Sequence, residues 1–372
     1  MGSRKLNIGI FLSSSINMGG GFQYERRVTS LLLQSLNGVY NISCFALSQT
    51  IVDQYEREGV IVFLINSEQD LIEKYSIDLN YFLSPSPVSA KLIKIPYILT
   101  VWDLCHRDFS EFPEVRENLE FEKREDFYSS HAMNKAVAII VESELGKKNL
   151  IKRYGTDDNR IYVLKQLPRL NKDNVKFIDI KLKYQISGEY IFYPAQFWSH
   201  KNHIYILKAL KILKDDYGIV LFAVFSGTDY GNLNYILEKA VEFDIISQIK
   251  YVGFVDDEEI PSLYKQSIAL VMPTYFGPTN IPPLEAFMYD TPVFYSDLEG
   301  LREQVGDAAF LMNLRDPKSL VYHLLIRLTD PDEVQRKILQ GRKVLNSWKE
   351  DDFLNGISNI FNDFEYIREC WA

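Results

Sequence analysis

Residues 275–286, YFGPTNIPPLEA, decide how this sequence is interpreted, because they follow the apolar run SIALVMP at residues 267–273. An apolar run that ends in Pro and Gly is typical of a buried parallel strand. The loop after it combines prolines and a glycine with a lone carboxylate, Glu285. In open α/β sheets, ligands bind beyond the carboxyl ends of the strands. We therefore predict a parallel sheet with this stiff loop as one wall of a ligand site.

The same alternation of strands and helices runs through the chain in two series. The first series has strand-like segments at residues 6–15, 60–66, 97–104, 136–143 and 160–165. The second has them at residues 189–195, 219–227, 249–255, 268–273, 291–297 and 308–313. A polar, irregular stretch separates the two series, and we place the linker at residues 166–188. The pattern predicts two doubly wound domains with a ligand-binding cleft between their strand ends.

The composition limits the class of protein. A chain of 372 residues that is 47% hydrophobic and 24% charged is typical of a soluble globular protein with two cores. No segment approaches the roughly 18 apolar residues that a membrane span needs. The three cysteines lie far apart, which argues against a disulfide framework and against zinc-ligand spacing. We expect a reducing, cytoplasmic location.

Charge is distributed unevenly along the chain. Residues 1–175 carry 21 Lys and Arg against 22 Asp and Glu, whereas residues 176–372 carry 20 against 28. Nucleic-acid binding demands clustered positive charge, and the sequence contains no basic stripe, so nucleic acid is excluded as a partner. The near-neutral first half is compatible with an anionic membrane surface, and the acidic second half is not.

Two turns between a strand and a helix are candidate anion sites. Gly19, Gly20 and Gly21 precede a helix predicted over residues 22–36, so backbone amides at a helix N-terminus would face an anion there. Lys201 lies just before or at a helix start and would add a cation to such amides. A flexible glycine turn and a solvated lysine are the alternatives.

The prolines of the quoted loop shape its end. Residues 282–283 are both proline, which fixes φ and lets a helix begin near Leu284. Glu285 then lies in the first helical turn, where the macrodipole stabilises its charge, so it is either a ligand-binding group or a helix cap. The stiff loop would also hold the amides of residues 279–281 in place for a ligand.

Together these segments resemble the retaining glycosyltransferases of family 4, which have the GT-B fold. The resemblance implies two Rossmann-like domains that face each other across a cleft: an acceptor domain at residues 1–170 and a nucleotide-sugar donor domain at residues 171–372. The C-terminal helix would pack back on the first domain. The segments that carry the resemblance, in the family's order, are the Gly-rich loop, TVWDLCHRDFSEFPE (100–114), IIVESELGKKNLIKRYGTDDNRIYVL (139–164), YPAQFWSHKNH (193–203), YVGFVDDEEIPSLYKQSIALVMPTYFGPTNIPPLEAF (251–287) and TPVFYSDLEGLREQVGDAAFLM (291–312).

The resemblance also assigns roles to single residues. The lysine that matches Lys201 contacts the donor diphosphate, and the glutamate that matches Glu285 holds the nucleotide ribose. Asp103 is a third catalytic candidate, which would take a proton from the acceptor or bind a hydroxyl. A carboxylate that only accepts hydrogen bonds from loop amides is the alternative for Asp103. The donor-binding positions are Gly20, Gly21, Gln196, Phe254, Val255, Thr279, Asn280, Ile281 and Glu285.

Three positions depart from the family pattern. Gly277 stands where a first glutamate commonly touches the donor sugar, and Gln196 stands where an arginine is expected near the diphosphate. Trp102 replaces a histidine beside Asp103. FGPTNIPPLEA nevertheless resembles a recurring variant in surface-polysaccharide enzymes of this family.

The implied function is transfer of a hexose, mannose being one candidate, from a nucleoside-diphosphate sugar to a glycan or lipid-linked glycan in O-antigen or capsule biosynthesis. A nucleotide-sugar-binding protein with lost or weak turnover is the alternative. We expect no cofactor and no metal, because the sequence contains no convincing metal-ligand cluster. His106 is a candidate for contact with a sugar. Peripheral contact with the inner face of a membrane would use Arg26, Arg27, Lys147, Lys148, Lys152 and Arg153.

Overall fold

The computed structural model describes residues 4–92, 94–168 and 177–371. Up to residue 168 the strands are β1 Asn7–Phe11, β2 Asn41–Ala46, β3 Val62–Leu64, β4 Leu79–Phe82, β5 Tyr97–Thr100, β6 Ala138–Val141 and β7 Ile161–Val163. The helices of this stretch are α1 Gly20–Ser35, α2 Gln49–Glu56, α3 Glu68–Glu73, α4 Cys105–Asp108, α5 Pro113–Arg116, α6 Glu120–Phe127, α7 Met133–Lys135 and α8 Glu144–Tyr154.

From residue 177 onward the alternation continues with longer helices. The strands are β8 Tyr190–Pro194, β9 Phe222–Ser226, β10 Ile249–Tyr251, β11 Ala269–Met272, β12 Val293–Ser296 and β13 Ala309–Met312. The helices are α9 Ile180–Lys183, α10 His203–Tyr217, α11 Leu233–Glu242, α12 Ile260–Gln266, α13 Ile281–Met288, α14 Glu299–Val305, α15 Lys318–Thr329, α16 Pro331–Asn346 and α17 Glu350–Arg368.

The chain forms two compact units whose composition differs from the predicted domains 1–170 and 171–372. A short segment with α5 belongs with the later residues, and the C-terminal segment with α17 belongs with the earlier ones. Part of the predicted linker, residues 169–176, lies outside the described residues, and α9 lies within the remainder. We call the two bodies the first unit, Met1–Ser110, Asn118–Leu167 and Lys349–Ala372, and the second unit, Glu111–Glu117 and Pro168–Trp348.

Within the described residues, the first unit contains one parallel sheet in the order β3-β2-β1-β4-β5-β6-β7. The sequence analysis predicted five of these strands and missed β2 and β4. Both missed strands carry polar residues: β2 reads NISCFA, and β4 reads LNYF with Asn80 fully buried. Neighbouring strands on both sides, rather than an apolar run, hold these two segments in the sheet.

The described part of the second unit contains a parallel sheet in the order β10-β9-β8-β11-β12-β13. Each of its strands falls within a segment predicted from the sequence. In both sheets the order reverses beside the first strand of the unit, β1 in one and β8 in the other. The predicted doubly wound α/β class is confirmed, and each reversal opens a crevice at the carboxyl ends of the strands.

Apolar side chains cover both faces of the first sheet, because successive residues of a strand point to opposite faces. Ile8 and Ile10 of β1 and Ile98 of β5 lie in a core layer that also contains side chains of α17. Phe11 and Leu99, one position along the same strands, lie in the opposite layer. This double burial is typical of a parallel sheet with helices on both faces.

Helix α17 completes the first unit. Phe361 is fully buried, and its ring lies edge-on to Tyr40 with the centroids 5.0 Å apart. The Tyr40 hydroxyl donates to Asn362 Oδ1 at 2.8 Å, and Arg27 of α1 pairs with Glu350 at the start of α17. The expectation that the C-terminal helix returns to the first domain is therefore confirmed.

We expect Phe361→Ala to lower the free energy of unfolding of the first unit by about 3–5 kcal/mol, the usual cost of removing a buried aromatic ring. Hydrogen exchange should accelerate in β1 and β2 but not in β8 and β11. Tyr366→Ala on the same helix, where the side chain is 78% exposed, is the matched control. Equal exchange in the two variants would show that α17 does not stabilise this sheet.

Candidate functional site

The strand order of the second unit places the candidate site. β8 and β11 are parallel neighbours, with Ala269 opposite Ile191 and Leu270 opposite Phe192. The strands that follow them in sequence, β9 and β12, lie on opposite sides of this pair. The segments that follow these two strands, residues 195–201 and 273–280, therefore meet at one edge of the sheet. The amide of Tyr275 donates to the carbonyl of His200 at 2.9 Å, so the two segments are in direct contact.

Lys201 lies in the first of these segments. It ends a 3₁₀ turn, Ser199–Lys201, and α10 begins two residues later, in agreement with the predicted helix start. The Tyr193 hydroxyl donates to the Lys201 carbonyl at 2.9 Å, and Asn202 completes the turn with φ of +56°. The backbone of the turn is thus fixed by side chains, while Lys201 itself is partly exposed.

The backbone conformation of Gly277 leaves no room for the glutamate that is common at this position in the family that the sequence resembles. Its φ is +98°, and an added β-carbon would lie 2.8 Å from the Thr279 carbonyl oxygen and 2.9 Å from Asn280 Nδ2. A side chain at this position would be strained and would also collide with the loop. A glutamate at residue 277 is therefore incompatible with this loop conformation.

The amides predicted to face a ligand differ in availability. Asn280 donates its amide to Gln304 Oε1 at 3.0 Å and its side-chain Nδ2 to the Tyr295 hydroxyl at 2.7 Å. Gln304 in turn donates to the Asn280 carbonyl at 2.7 Å. Thr279 is buried, and Ile281 is the first residue of α13. The Asn280 amide is already used by the protein, so Ile281 is the better candidate for a ligand contact.

Helix α13 begins earlier than the sequence predicted. It starts at Ile281 rather than near Leu284, because proline is well tolerated at the second and third helical positions, where the N–H it lacks has no partner within the helix. Glu285 consequently lies in the second turn and is not a helix cap. Prolines at 282 and 283 also remove two N–H groups, so the helix N-terminus presents few donors to an anion.

Glu285 is a buried carboxylate with a defined neighbour. The residue is 5% exposed, and its Oε2 accepts a hydrogen bond from the Tyr264 hydroxyl at 2.9 Å. Tyr264 is itself fully buried on α12. The Tyr264 hydroxyl helps to hold this carboxylate in a fixed orientation, and a preorganised carboxylate suits recognition of a ligand hydroxyl.

The remaining donor-binding candidates of the second unit follow β8 and β10. Gln196 comes after β8, and its Oε1 accepts from Trp198 Nε1 at 3.2 Å, which orients its side chain. Phe254 and Val255 follow β10, two strands away in the sheet. Phe254 is half-exposed and Val255 is buried, so Phe254 is the one whose ring is open to a flat ligand.

Gly20 and Gly21 lie in the first unit. Gly20 is the first residue of α1 and has open space where a β-carbon would be. A β-carbon at Gly21 would lie 2.8 Å from the Trp102 ring, so Gly21 lets α1 approach Trp102 closely. Their contact with a phosphate remains a prediction.

A buried carboxylate that the sequence analysis missed, Glu25 of α1, holds the loop before these glycines. Its Oε2 accepts from the amides of Ser13 at 3.1 Å and Ser14 at 2.9 Å. Glu25 occupies the same face of α1 as Val28 and Leu32. A charged residue on an otherwise apolar helix face is the sequence signal that could have identified it.

The contacts of Asp103 match the alternative considered for it, a carboxylate that accepts a hydrogen bond from a loop amide. Its Oδ1 accepts from the Cys105 amide and from Arg124 Nη2, each at 2.9 Å. Burial raises the pKa of this carboxyl, but the Arg124 charge and the two hydrogen bonds outweigh burial and hold the pKa below its ordinary value. A carboxylate with a lowered pKa is a weak base, so proton abstraction by Asp103 remains a prediction that this environment does not favour.

His106 is similarly enclosed. It is fully buried, with Nε2 2.7 Å from Glu125 Oε1 and its ring beside Phe121 and Tyr128. Burial, assisted by the Arg124 charge, lowers the pKa of the imidazole, so it is neutral at pH 7. These contacts favour a structural role for His106 over contact with a sugar.

The basic residues predicted to meet a membrane are largely neutralised. Most of them pair with carboxylates: Arg26 with Glu58 at 3.1 Å, Arg27 with Glu350, Lys147 with Asp158 at 2.6 Å, and Arg153 with Asp108. Lys148 and Lys152, four residues apart on α8, are exposed. Among the described residues, no helix is both long and apolar enough to cross a bilayer.

Metal independence is a separate prediction. Over residues 4–92, 94–168 and 177–371, no group of three or more His, Cys, Asp or Glu side chains has the arrangement of a metal site.

Part of the second unit matches a known family model. Residues 174–344, which include the candidate site, match the model for glycosyl transferases group 1. The curated relatives include the O-antigen chain mannosyltransferase RfbU of Salmonella typhimurium, 28% identical over 49% of this chain and 48% of that protein. O-antigen chain mannosyltransferase B of Escherichia coli is 25% identical over 63% of this chain and 62% of that protein. The matches thus span about half to three fifths of these relatives.

Solved structures extend the likeness to the whole chain. A glycosyltransferase from Rickettsia africae superposes with a TM-score of 0.73 at 16% identity, over 97% of this chain and 99% of that one. Anabaena HepE, in complex with UDP and glucose, gives a TM-score of 0.75 at 12% identity, over 96% and 100%. The predicted GT-B fold with two Rossmann-like sheets is therefore confirmed.

We expect Glu285→Gln to weaken binding of UDP or GDP by about 1–3 kcal/mol, the usual value of a charge-assisted hydrogen bond. Titration calorimetry on the intact chain measures this loss. Glu299→Gln, at an exposed position in the first turn of α14, is the matched control. Unchanged affinity in Glu285→Gln would mean that the carboxylate only anchors Tyr264.

Proposed function

We propose that this protein is a retaining glycosyltransferase of family 4 that transfers a hexose from a nucleoside-diphosphate sugar. One observation carries the proposal: at the reversal point of the second sheet, the turn with Lys201 adjoins the loop that leads into α13, the helix that carries Glu285. Both lie within the stretch that matches the glycosyl transferases group 1 model. A cation, a helix start and a buried carboxylate together suit a ligand with a diphosphate and a diol.

The reaction requires stabilisation of the leaving nucleoside diphosphate. Negative charge develops on the diphosphate as the glycosidic bond to the sugar breaks, and preorganised donors lower the energy of that state. We assign this role to Lys201 and the Ile281 amide. Glu285 would hold the ribose hydroxyls, and Phe254 would cover the nucleobase. The acceptor hydroxyl then attacks the anomeric carbon on the face from which the diphosphate leaves and passes its proton to the departing diphosphate, so the configuration is retained.

Mannose is the donor sugar that the comparisons favour, because the two curated relatives described above are named O-antigen chain mannosyltransferases. HepE was solved with UDP and glucose, which makes UDP-glucose the second donor to test. We propose a glycan or lipid-linked glycan acceptor in surface-polysaccharide biosynthesis. A cytoplasmic location with contact at the inner membrane face accords with this acceptor, and exposed Lys148 and Lys152 are the cations left for it.

A nucleotide-sugar-binding protein without turnover is the second candidate. It is favoured by Gly277, whose backbone excludes a glutamate, and by Gln196, which supplies no positive charge near Lys201. Both residues would weaken contacts to the sugar and the diphosphate rather than to the nucleoside. Hydrolysis of the donor, or its transfer to an acceptor, distinguishes an enzyme from a binder.

We expect the purified chain to release nucleoside diphosphate from at least one of GDP-mannose, UDP-glucose and dTDP-glucose, and Lys201→Ala to slow this about 100-fold or more. Lys208→Ala, an exposed lysine on α10, should retain the parent rate. NMR of the transfer product reports the anomeric configuration. Binding of a sugar nucleotide without any release would favour the second candidate, and a Lys201→Ala rate within a few-fold of the parent would refute the assigned role.

We expect EDTA to leave this turnover nearly unchanged, because the proposed stabilisation of the diphosphate uses protein donors only. The rate is measured before and after dialysis against EDTA, and again after Mg²⁺ or Mn²⁺ is restored. Loss of turnover that either ion restores would contradict metal independence.

A further inference from the structure

A short segment from the first half of the sequence belongs to the second unit. Residues 111–117, which include α5, are grouped with residues 168–348. The Phe112 ring packs against Tyr275 and Phe276, with centroid distances of 5.4 Å and 5.5 Å. The segment therefore lies against the loop of the candidate site.

Glu114 of this segment binds the turn that carries Lys201. Its Oε1 accepts a hydrogen bond from the His200 amide at 2.9 Å and lies 2.5 Å from His200 Nδ1. Both side chains are only 10% exposed. Burial raises the pKa of Glu114, but the hydrogen bonds from His200 outweigh burial and keep the pKa below its ordinary value. The carboxylate is thus charged at neutral pH.

His200 links the turn to the loop. Its carbonyl accepts from the Tyr275 amide at 2.9 Å, and its ring stacks on Phe276 with the centroids 4.0 Å apart and the planes 12° apart. Glu114 therefore holds a residue that lies in one segment of the candidate site and contacts the other. It does so without lying in either segment.

We propose that Glu114 is a positioning residue for glycosyl transfer: by fixing His200, it holds the Lys201 turn and the 275–280 loop in the register that binds the diphosphate. The inference rests on the proposed function. A 3₁₀ turn of three residues has little stability of its own, so tertiary contacts decide where it lies. A displacement of about 1 Å at a reacting group costs about 100-fold in rate.

The test compares Glu114→Ala and Glu114→Gln with Glu117→Ala, an exposed glutamate of the same segment. Hydrogen exchange of residues 199–202 and 275–276, measured on the intact chain without nucleotide, should accelerate in Glu114→Ala, less in Glu114→Gln and not in Glu117→Ala. Affinity for UDP or GDP should fall about 10- to 100-fold in Glu114→Ala, with partial rescue in Glu114→Gln, because glutamine keeps an acceptor for the His200 amide.

A double-mutant cycle with Lys201→Ala distinguishes positioning from a general loss of stability. If Glu114 acts through Lys201, the two losses of affinity are not additive, and the double variant binds about as weakly as Lys201→Ala alone. Additive losses, unchanged exchange, or faster exchange with parental affinity would overturn the proposal. A parent chain that binds none of UDP, GDP and dTDP would refute the proposed function and this inference with it. Parental binding that persists in Glu114→Ala would refute only the inference.

Discussion

The parallel pairing of β8 with β11 is the constraint on which the candidate site depends. These strands are far apart in sequence, and only the reversal of strand order beside β8 makes them neighbours. Their backbone hydrogen bonds end where the sheet ends, so the segments that follow must find other partners. One such contact joins the two segments, because the Tyr275 amide donates to the His200 carbonyl. The candidate site therefore lies just beyond the last backbone hydrogen bonds between the two strands.

Side chains rather than backbone ladders hold this part of the second unit. Tyr193 fixes the Lys201 carbonyl, Tyr264 fixes Glu285, and Gln304 fixes Asn280 on both its amide and its carbonyl. The Tyr264–Glu285 bond is buried and the other three are partly buried. A buried hydrogen bond that is lost leaves a polar group without a partner. Such contacts keep the loops rigid before a ligand arrives, which lowers the ordering cost of binding.

Local backbone conformation excludes a glutamate at position 277, which is the most conspicuous departure from the pattern of the family that the sequence resembles. Gly277 adopts a left-handed conformation with backbone and Asn280 close by, and this loop admits no side chain there. The charges of the first unit show a comparable effect. Several arginines and lysines that the sequence predicted to form a basic surface are paired with carboxylates in the folded structure. Their contribution to a surface field is correspondingly reduced.

The sequence alone determined the doubly wound fold class, all strands of the second sheet and the start of α10, because apolar periodicity and turn residues are local signals. It also identified Lys201 and Glu285 as candidates. Other features required the tertiary structure. β2 and β4 are strands because their neighbours enclose them, and α17 joins the first unit because Phe361 fits beside Tyr40. Glu114 reaches His200 across 86 positions of sequence. No local pattern records a contact of that range, since it depends on how two distant stretches of chain come to share one core.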